Sequence, residues 1–208
     1  MAAEAAVARL GRAAPLLVLI GTSASGKSTL ARRLHRQGVI HLTPSWTTRP
    51  RRADERQGSL EHRFVTDMEF DRLTREGFFI EAVEMFDLPY RYGLPPVQDP
   101  GGGRVPAVML RAELVGLVAK HYAHAVVYQI EDSRERVHDR LHRRDQDQLG
   151  SRLDRYETER SSGRRIAART FVNSASVDLL AERVKGALLQ DFPGYQRSPT
   201  LDCEVNAR

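Results

Sequence analysis

The chain has 208 residues and a mass of 23.5 kDa, with 41% hydrophobic and 28% charged residues, a globular balance that excludes a disordered chain. Its longest apolar run, Leu16 to Ile20, is far short of the ~18 residues of a membrane span. The single cysteine, Cys203, excludes a disulfide framework and a cysteine-built zinc site and points to a reducing cytoplasm. The net charge of +5 suits an anionic partner, and only Lys27, Lys120 and Lys185 of the 32 cationic residues are lysines. Arginine's planar fork matches phosphate oxygens two at a time.

In chain order, residues 1–14 read as an N-terminal extension. Leu16–Ile20 reads as a buried strand, 27–37 as a helix stopped by Gly38, and 39–42 as a second strand. Residues 43–65 are polar, arginine-rich and without period, so an irregular lobe is predicted. A helix is expected from Asp67, as N-cap, to Arg75, then a strand over 78–83. The Pro- and Gly-rich stretch 87–103 reads as loop. A strand at 105–110, a helix at 112–120 and a central strand at 125–130 follow. A helix opened by Ser133 runs to His142, 143–150 breaks it, and 153–168 resumes it. Phe171-Val172 is a minimal strand and 176–189 a last helix, with a flexible tail from 193. Strands alternating with helices predict an α/β fold, a parallel sheet covered on both faces.

Residues 21–28, Gly-Thr-Ser-Ala-Ser-Gly-Lys-Ser, match G-x-x-x-x-G-K-[ST] directly between a strand and a helix. Glycines at 21 and 26 let backbone wrap a phosphate, and the helix start offers unpaired N–H groups to an anion. Lys27 is placed to reach the β- and γ-phosphates, and the Ser28 hydroxyl to ligate Mg²⁺. The stretch Gly21, Thr22, Ser23, Ala24, Ser25, Gly26, Lys27, Ser28 and Thr29 is therefore the expected ATP site. Arg49 and Arg52, in Ser45-Trp-Thr-Thr-Arg-Pro-Arg-Arg, are candidates to clamp a second phosphate.

These motifs, with Glu81 after Phe78-Phe79-Ile80, Tyr90-x-Tyr92-Gly93, Arg140-Leu-His-x-Arg144, Arg152 and Phe171-Val172-Asn173, resemble the guanylate kinase family over residues 15–191. The resemblance implies a P-loop NTPase fold spanning 15–192 with an acceptor-binding lobe (43–103) and a small lid (143–151). It implies phosphoryl transfer from ATP with Mg²⁺ to a nucleoside monophosphate such as GMP. Arg49, Arg52 and Tyr92 fall on the acceptor's phosphate, Ser45 and Glu81 on its base, Arg140, Arg144 and Arg152 on the lid, and Asn173 near the adenine.

The departures are specific. His62 stands where that family places a phosphate-binding tyrosine, and Met109-Leu110-Arg111 where it places two aspartates, for which Glu113 or Asp132 are the candidate replacements. The Thr48-Arg49-Pro50 element, His62, Tyr92-Gly93 and Arg111-Ala112 are also similar to ribose 1,5-bisphosphate phosphokinases. That acceptor has two phosphates, and extra cations at 62 and 111 would suit it, whereas Glu81 suits guanine. A catalytically weak binding module and a nucleotide hydrolase complete the alternatives. The interleaved acids among the arginines of 134–165, with Tyr156 the one aromatic, favour charged helices over a nucleic-acid surface. His121 and His124 read as solvated. The partner expected is a small-molecule phosphate acceptor, with no membrane; nothing in the sequence fixes the oligomeric state.

Overall fold

The computed structural model describes residues 15–52, 55, 59–84, 89–144 and 149–195, without the side chains of 144, 149, 151 and 152. The expected N-terminal extension, the tail from 196, and the side chains of Arg144 and Arg152 lie outside the described residues.

Two sheets organise the molecule. The larger has five parallel strands: β1 (Pro15–Gly21), β2 (Ile40–Leu42), β7 (Val105–Met109), β8 (His124–Glu131) and β9 (Arg169–Val172), in the order β2-β7-β1-β8-β9. β1 is central, with β8 beside it. Its residues Leu16 to Ile20 are wholly buried because both faces are covered. Leu17 and Leu19 pack with α1 (Lys27–Arg36) and α7 (Val177–Asp191). Leu16, Val18 and Ile20 pack with Val115 and Val118 of α3 (Val115–Ala119), which follows a 3₁₀ turn at Ala112–Leu114.

The second sheet holds β3 (Ser45–Thr47), β4 (His62–Phe64), β5 (Glu81–Glu84) and β6 (Arg91–Leu94), in the order β4-β3-β6-β5. The polar stretch 43–65 therefore contributes two strands where irregular chain was expected, and β6 lies inside the predicted loop 87–103. Aromatic packing builds this sheet's core: Phe70 of α2 (Asp67–Arg75) stacks on Phe79, and Trp46 meets Phe78 and Phe79 edge-on. A Cβ at Gly93 would enter the Phe79 ring. The N-cap of α2 is Thr66, whose hydroxyl accepts from Glu69 N at 3.2 Å, one residue before the expected Asp67.

Past β8 come α4 (Arg134–Arg144), α5 (Leu149–Asp154) and α6 (Tyr156–Ile166), so the helix predicted over 153–168 is broken at Arg155. Two buried acids at the end of β8 gather these helices. Glu131 accepts from Arg164 at 2.6 Å, Arg160 at 3.1 Å and Gln129 at 2.8 Å, and Asp132 pairs with Arg140 at 2.6 Å. No helix among the described residues is long and apolar enough to cross a membrane.

β1 and β8 pair as far as Gly21, where a Cβ would strike the Ile130 carbonyl oxygen, and φ is +148°. Gly21→Ala is expected to lose about 1–3 kcal/mol of stability. Urea unfolding of the variant against the parent chain measures it.

Candidate functional site

The loop after β1 turns through Ala24 (φ +58°) and Gly26 (φ +94°), left-handed conformations that aim successive N–H groups inward. Three side chains from three other elements fasten it at consecutive residues. Glu159 of α6 accepts from Ser23 N at 3.2 Å, Arg140 of α4 donates to Ala24 O at 2.8 Å, and Asn173, just after β9, donates to Ser25 O at 3.0 Å. A Cβ at Gly26 would strike that Asn173 amide. Asn173 is thus a buried brace of the loop. Lys27 Nζ donates to Gly21 O at 3.0 Å. Burial pulls the Lys27 ammonium below its usual range, and Glu159 and Glu61 oppose that shift while Arg111 adds to it. The Thr22 and Ser25 hydroxyl oxygens are buried without a hydrogen-bond partner among the described residues.

The loop forms one wall of a cavity of about 1200 Å³. The facing wall comes from the second sheet: Ser45, Arg49, Arg52, His62, Glu81 and Tyr92 all line it. Arg49 is buried and bidentate on Glu55, with Nη1–Oε2 at 3.0 Å and Nη2–Oε1 at 2.8 Å, and the Arg52 N–H reaches the same carboxylate at 2.9 Å. Although burial alone would raise it, these bonds pull the Glu55 carboxyl down to about 2. His62 shares a hydrogen bond with Ser45 Oγ at 2.8 Å. Burial, helped by Arg49, lowers the His62 imidazole to about 4. At neutral pH it is uncharged, which corrects the expectation of an extra cation at 62.

Arg140 and Arg111 line the same cavity, as do Arg32, Arg136, Arg143 and Arg155. Of the candidates to replace the two acids missing near 109–111, Asp132 is buried under Arg140 and accepts from Ser133 N. Glu113 lines a smaller hollow of about 100 Å³ beside Lys27, together with Glu159 and Arg111. Among the described residues, no group of three or more His, Cys, Asp or Glu side chains could hold a metal ion. His121, expected to be solvated, bonds Glu81 Oε1 at 2.8 Å, and Lys120 reaches the same oxygen at 2.6 Å.

Glu55, Glu159 and the Lys120-His121 pair escape a reading of the sequence, because each contact joins segments distant along the chain or lies in a patternless stretch. The three-residue spacing of Tyr156 and Glu159 is the available signal for Glu159, since on a helix it puts that carboxylate on one face with the buried Tyr156.

A parallel sheet with a phosphate loop at the tip of its central strand, faced by an arginine-bearing lobe across one cavity, defines a P-loop protein of the nucleotide-binding α/β class. Comparison with known proteins narrows the class. The chain is 30% identical over 152 residues to a guanylate kinase of Caulobacter vibrioides, covering 69% of this chain and 70% of that one. It is 40% identical over 94 residues to the guanylate kinase of Zymomonas mobilis (44% of this chain, 42% of that one) and 44% identical over 81 residues to that of Thermobifida fusca (38% and 40%). The matched regions of these last two thus span about two-fifths of their length. The crystal structure of guanylate kinase from Anaplasma phagocytophilum has the same fold, with a TM-score of 0.59 at 23% identity over 86% of this chain and 87% of that one. No protein-family model matches. The chain belongs to the guanylate kinase family.

A histidine held neutral by burial makes folding pH-dependent. The folded pKa lies below the unfolded value of 6.5, so the stability it contributes is complete above 6.5 and is lost as pH falls toward 4. The His62 ring protons are expected to titrate near 4 by NMR, and His62→Gln should flatten the loss of stability between pH 6.5 and 4.

Proposed function

We propose that this chain transfers the γ-phosphoryl group of ATP to the phosphate of a nucleoside monophosphate, GMP foremost. The observation that carries this reading is the juxtaposition of the Lys27 loop and the Arg49-Arg52-Tyr92 wall across one cavity. Two anions held on opposite walls are what in-line transfer between them requires.

The loop suits a magnesium nucleotide: its glycines leave no room for a Cβ, and its Thr22 and Ser25 hydroxyls lack partners among the described residues. Ser28 would hold Mg²⁺, which when bound would neutralise charge between phosphate oxygens. Lys27 and the loop amides would hold the donor's phosphates, and Arg49, Arg52 and Tyr92 the acceptor's. Arg111, set near Lys27, adds a cation between the two. Arg140 fixes the loop by its carbonyl and, with Arg144 and Arg152 of the lid, completes the proposed catalytic set. An acceptor phosphate is already an anionic nucleophile, so no side-chain base is needed. Positioning and neutralisation do the catalysis.

The far end of the acceptor wall favours a base over a second phosphate. Leu110, Leu114, Leu117 and Val118 line the cavity, as does Glu81, whose carboxylate bonds Lys120 and His121 just past the helix that carries Leu117 and Val118. Apolar walls suit a planar ring, and a carboxylate repels the second phosphate of ribose 1,5-bisphosphate. The intact loop and its three braces weigh against a binding module. The reading extends to a cytoplasmic enzyme with one domain over 15–192.

ADP release with Mg²⁺·ATP is the assay, run with GMP, other monophosphates, ribose 1,5-bisphosphate, and no acceptor. GMP should support turnover. Release without acceptor would indicate a hydrolase, and release with the sugar bisphosphate alone would overturn the nucleotide reading. Lys27→Ala should lower kcat/KM by about 10³-fold. Arg52→Ala should raise the acceptor KM by about tenfold or more and alter kcat less.

A further inference from the structure

β7 lies beside β1 in parallel register, Leu19 opposite Met109, and Leu110 N donates to Leu19 O at 3.1 Å. Two residues past Met109, Arg111 therefore comes level with Gly21, where the phosphate loop begins. Ligands of parallel α/β sheets bind beyond such strand ends. Arg111 lines the main cavity and also the hollow of about 100 Å³ beside Lys27. It is near enough for its charge to bear on the Lys27 ammonium.

The other buried or half-buried arginines of the cavity are committed. Arg49 and Arg52 share Glu55 at 2.8 and 3.8 Å, Arg136 and Arg140 share Asp132 at 3.5 and 2.6 Å, and Arg155 also has a partner. Arg111 is half-buried with no hydrogen bond or ion pair among the described residues. Glu113 and Glu159 line the same hollow, yet Glu159 accepts from Ser23 N, and neither pairs with Arg111. An uncommitted guanidinium beside a buried ammonium is unfavourable by like-charge repulsion, and an anion lodged between the two offsets it. Its planar fork suits two oxygens of one phosphoryl group.

We propose that Arg111 is a catalytic residue that grips the phosphoryl group in transit between the Lys27 loop and the Arg49-Arg52 wall. This rests on the phosphotransfer reading above. Transfer breaks the bond from the γ-phosphorus to the oxygen that bridges it to the β-phosphate, and that oxygen leaves with the electron pair on ADP. A bond forms from the same phosphorus to an anionic oxygen of the acceptor phosphate, so no proton moves. Negative charge spreads meanwhile over the three equatorial oxygens. The loop and Lys27 hold the leaving side, the wall holds the incoming side, and Arg111 neutralises what lies between. A cation at 111, where the family places acids, thus acts on the phosphoryl oxygens directly, a role no carboxylate can fill.

The test compares the full chain with Arg111→Met and Arg111→Lys. Turnover is read as ADP release from Mg²⁺·ATP with GMP. Calorimetry gives Kd for ADP, for GMP, and for adenosine and guanosine joined 5′ to 5′ through five phosphates, a ligand that reaches both walls. Arg111→Met should lower kcat by about 10³-fold while both KM values stay within about threefold. Its Kd for the joined dinucleotide should rise about 10- to 100-fold, the worth of one charge-assisted contact, with ADP and GMP binding changed by less than about threefold. Arg111→Lys keeps the charge without the fork and should recover part of both losses. Arg111 makes no bond among the described residues, so melting temperature should hold, and Arg111→Gln, equally uncharged, repeats the measurement should Arg111→Met melt lower. An uncharged variant whose kcat stays within about tenfold of the parent's, or whose loss of affinity for the joined dinucleotide is matched by ADP or GMP alone, overturns the inference while transfer to GMP stands. A parent chain that neither binds nor phosphorylates GMP overturns the phosphotransfer reading, and this inference with it.

Discussion

Everything at the centre of this molecule depends on a loop of backbone held open by other parts of the chain. Residues 23, 24 and 25 are fastened by Glu159, Arg140 and Asn173, which come from α6, α4 and the end of β9. Ala24 in a left-handed conformation is strained in isolation, and such conformations persist where surrounding contacts over-determine them. The braces themselves are anchored: Arg140 on buried Asp132, and α6 through Arg160 and Arg164 on buried Glu131. The end of β8 is therefore a hub joining sheet, helices and phosphate loop.

Charge in the cavity is compensated piece by piece. Arg49 and Arg52 share Glu55, Arg32 pairs with Glu61 at 3.1 Å, and Lys27 has Glu159 nearby. For Arg49 and Lys27, the deeper of these cations, the carboxylates keep burial tolerable in the absence of an anion, since an unpaired charge there would be costly. His62 meets the same demand differently, by staying neutral.

The phosphate loop was legible because its chemistry is local: eight consecutive residues, a strand before and a helix after. The five buried residues of β1 were legible for the same reason. The strands of the second sheet were not. Ser45–Thr47 and His62–Phe64 are three residues long, too short for alternation to show, and Arg91–Leu94 sits among prolines that signal turns. Histidine at 62 reads as a cation until its depth is known, and the bond by which Asn173 braces Ser25 O is invisible along the sequence. The side chains that hold other side chains in place, Glu55, Glu159 and the Lys120-His121 pair, became visible only once folding had brought distant segments together.

The Arg49–Glu55 pair has a consequence for how an anion arrives. A guanidinium already matched by a carboxylate projects little field into the surrounding water, and physiological salt damps what remains within about 8 Å. Under the proposed acceptor role of Arg49, capture at that wall would be a short-range event, decided by shape and hydrogen-bond exchange after collision. Glu55 would then keep the seat from any small anion that drifts past, and yield it to one that can replace both of its bonds at once.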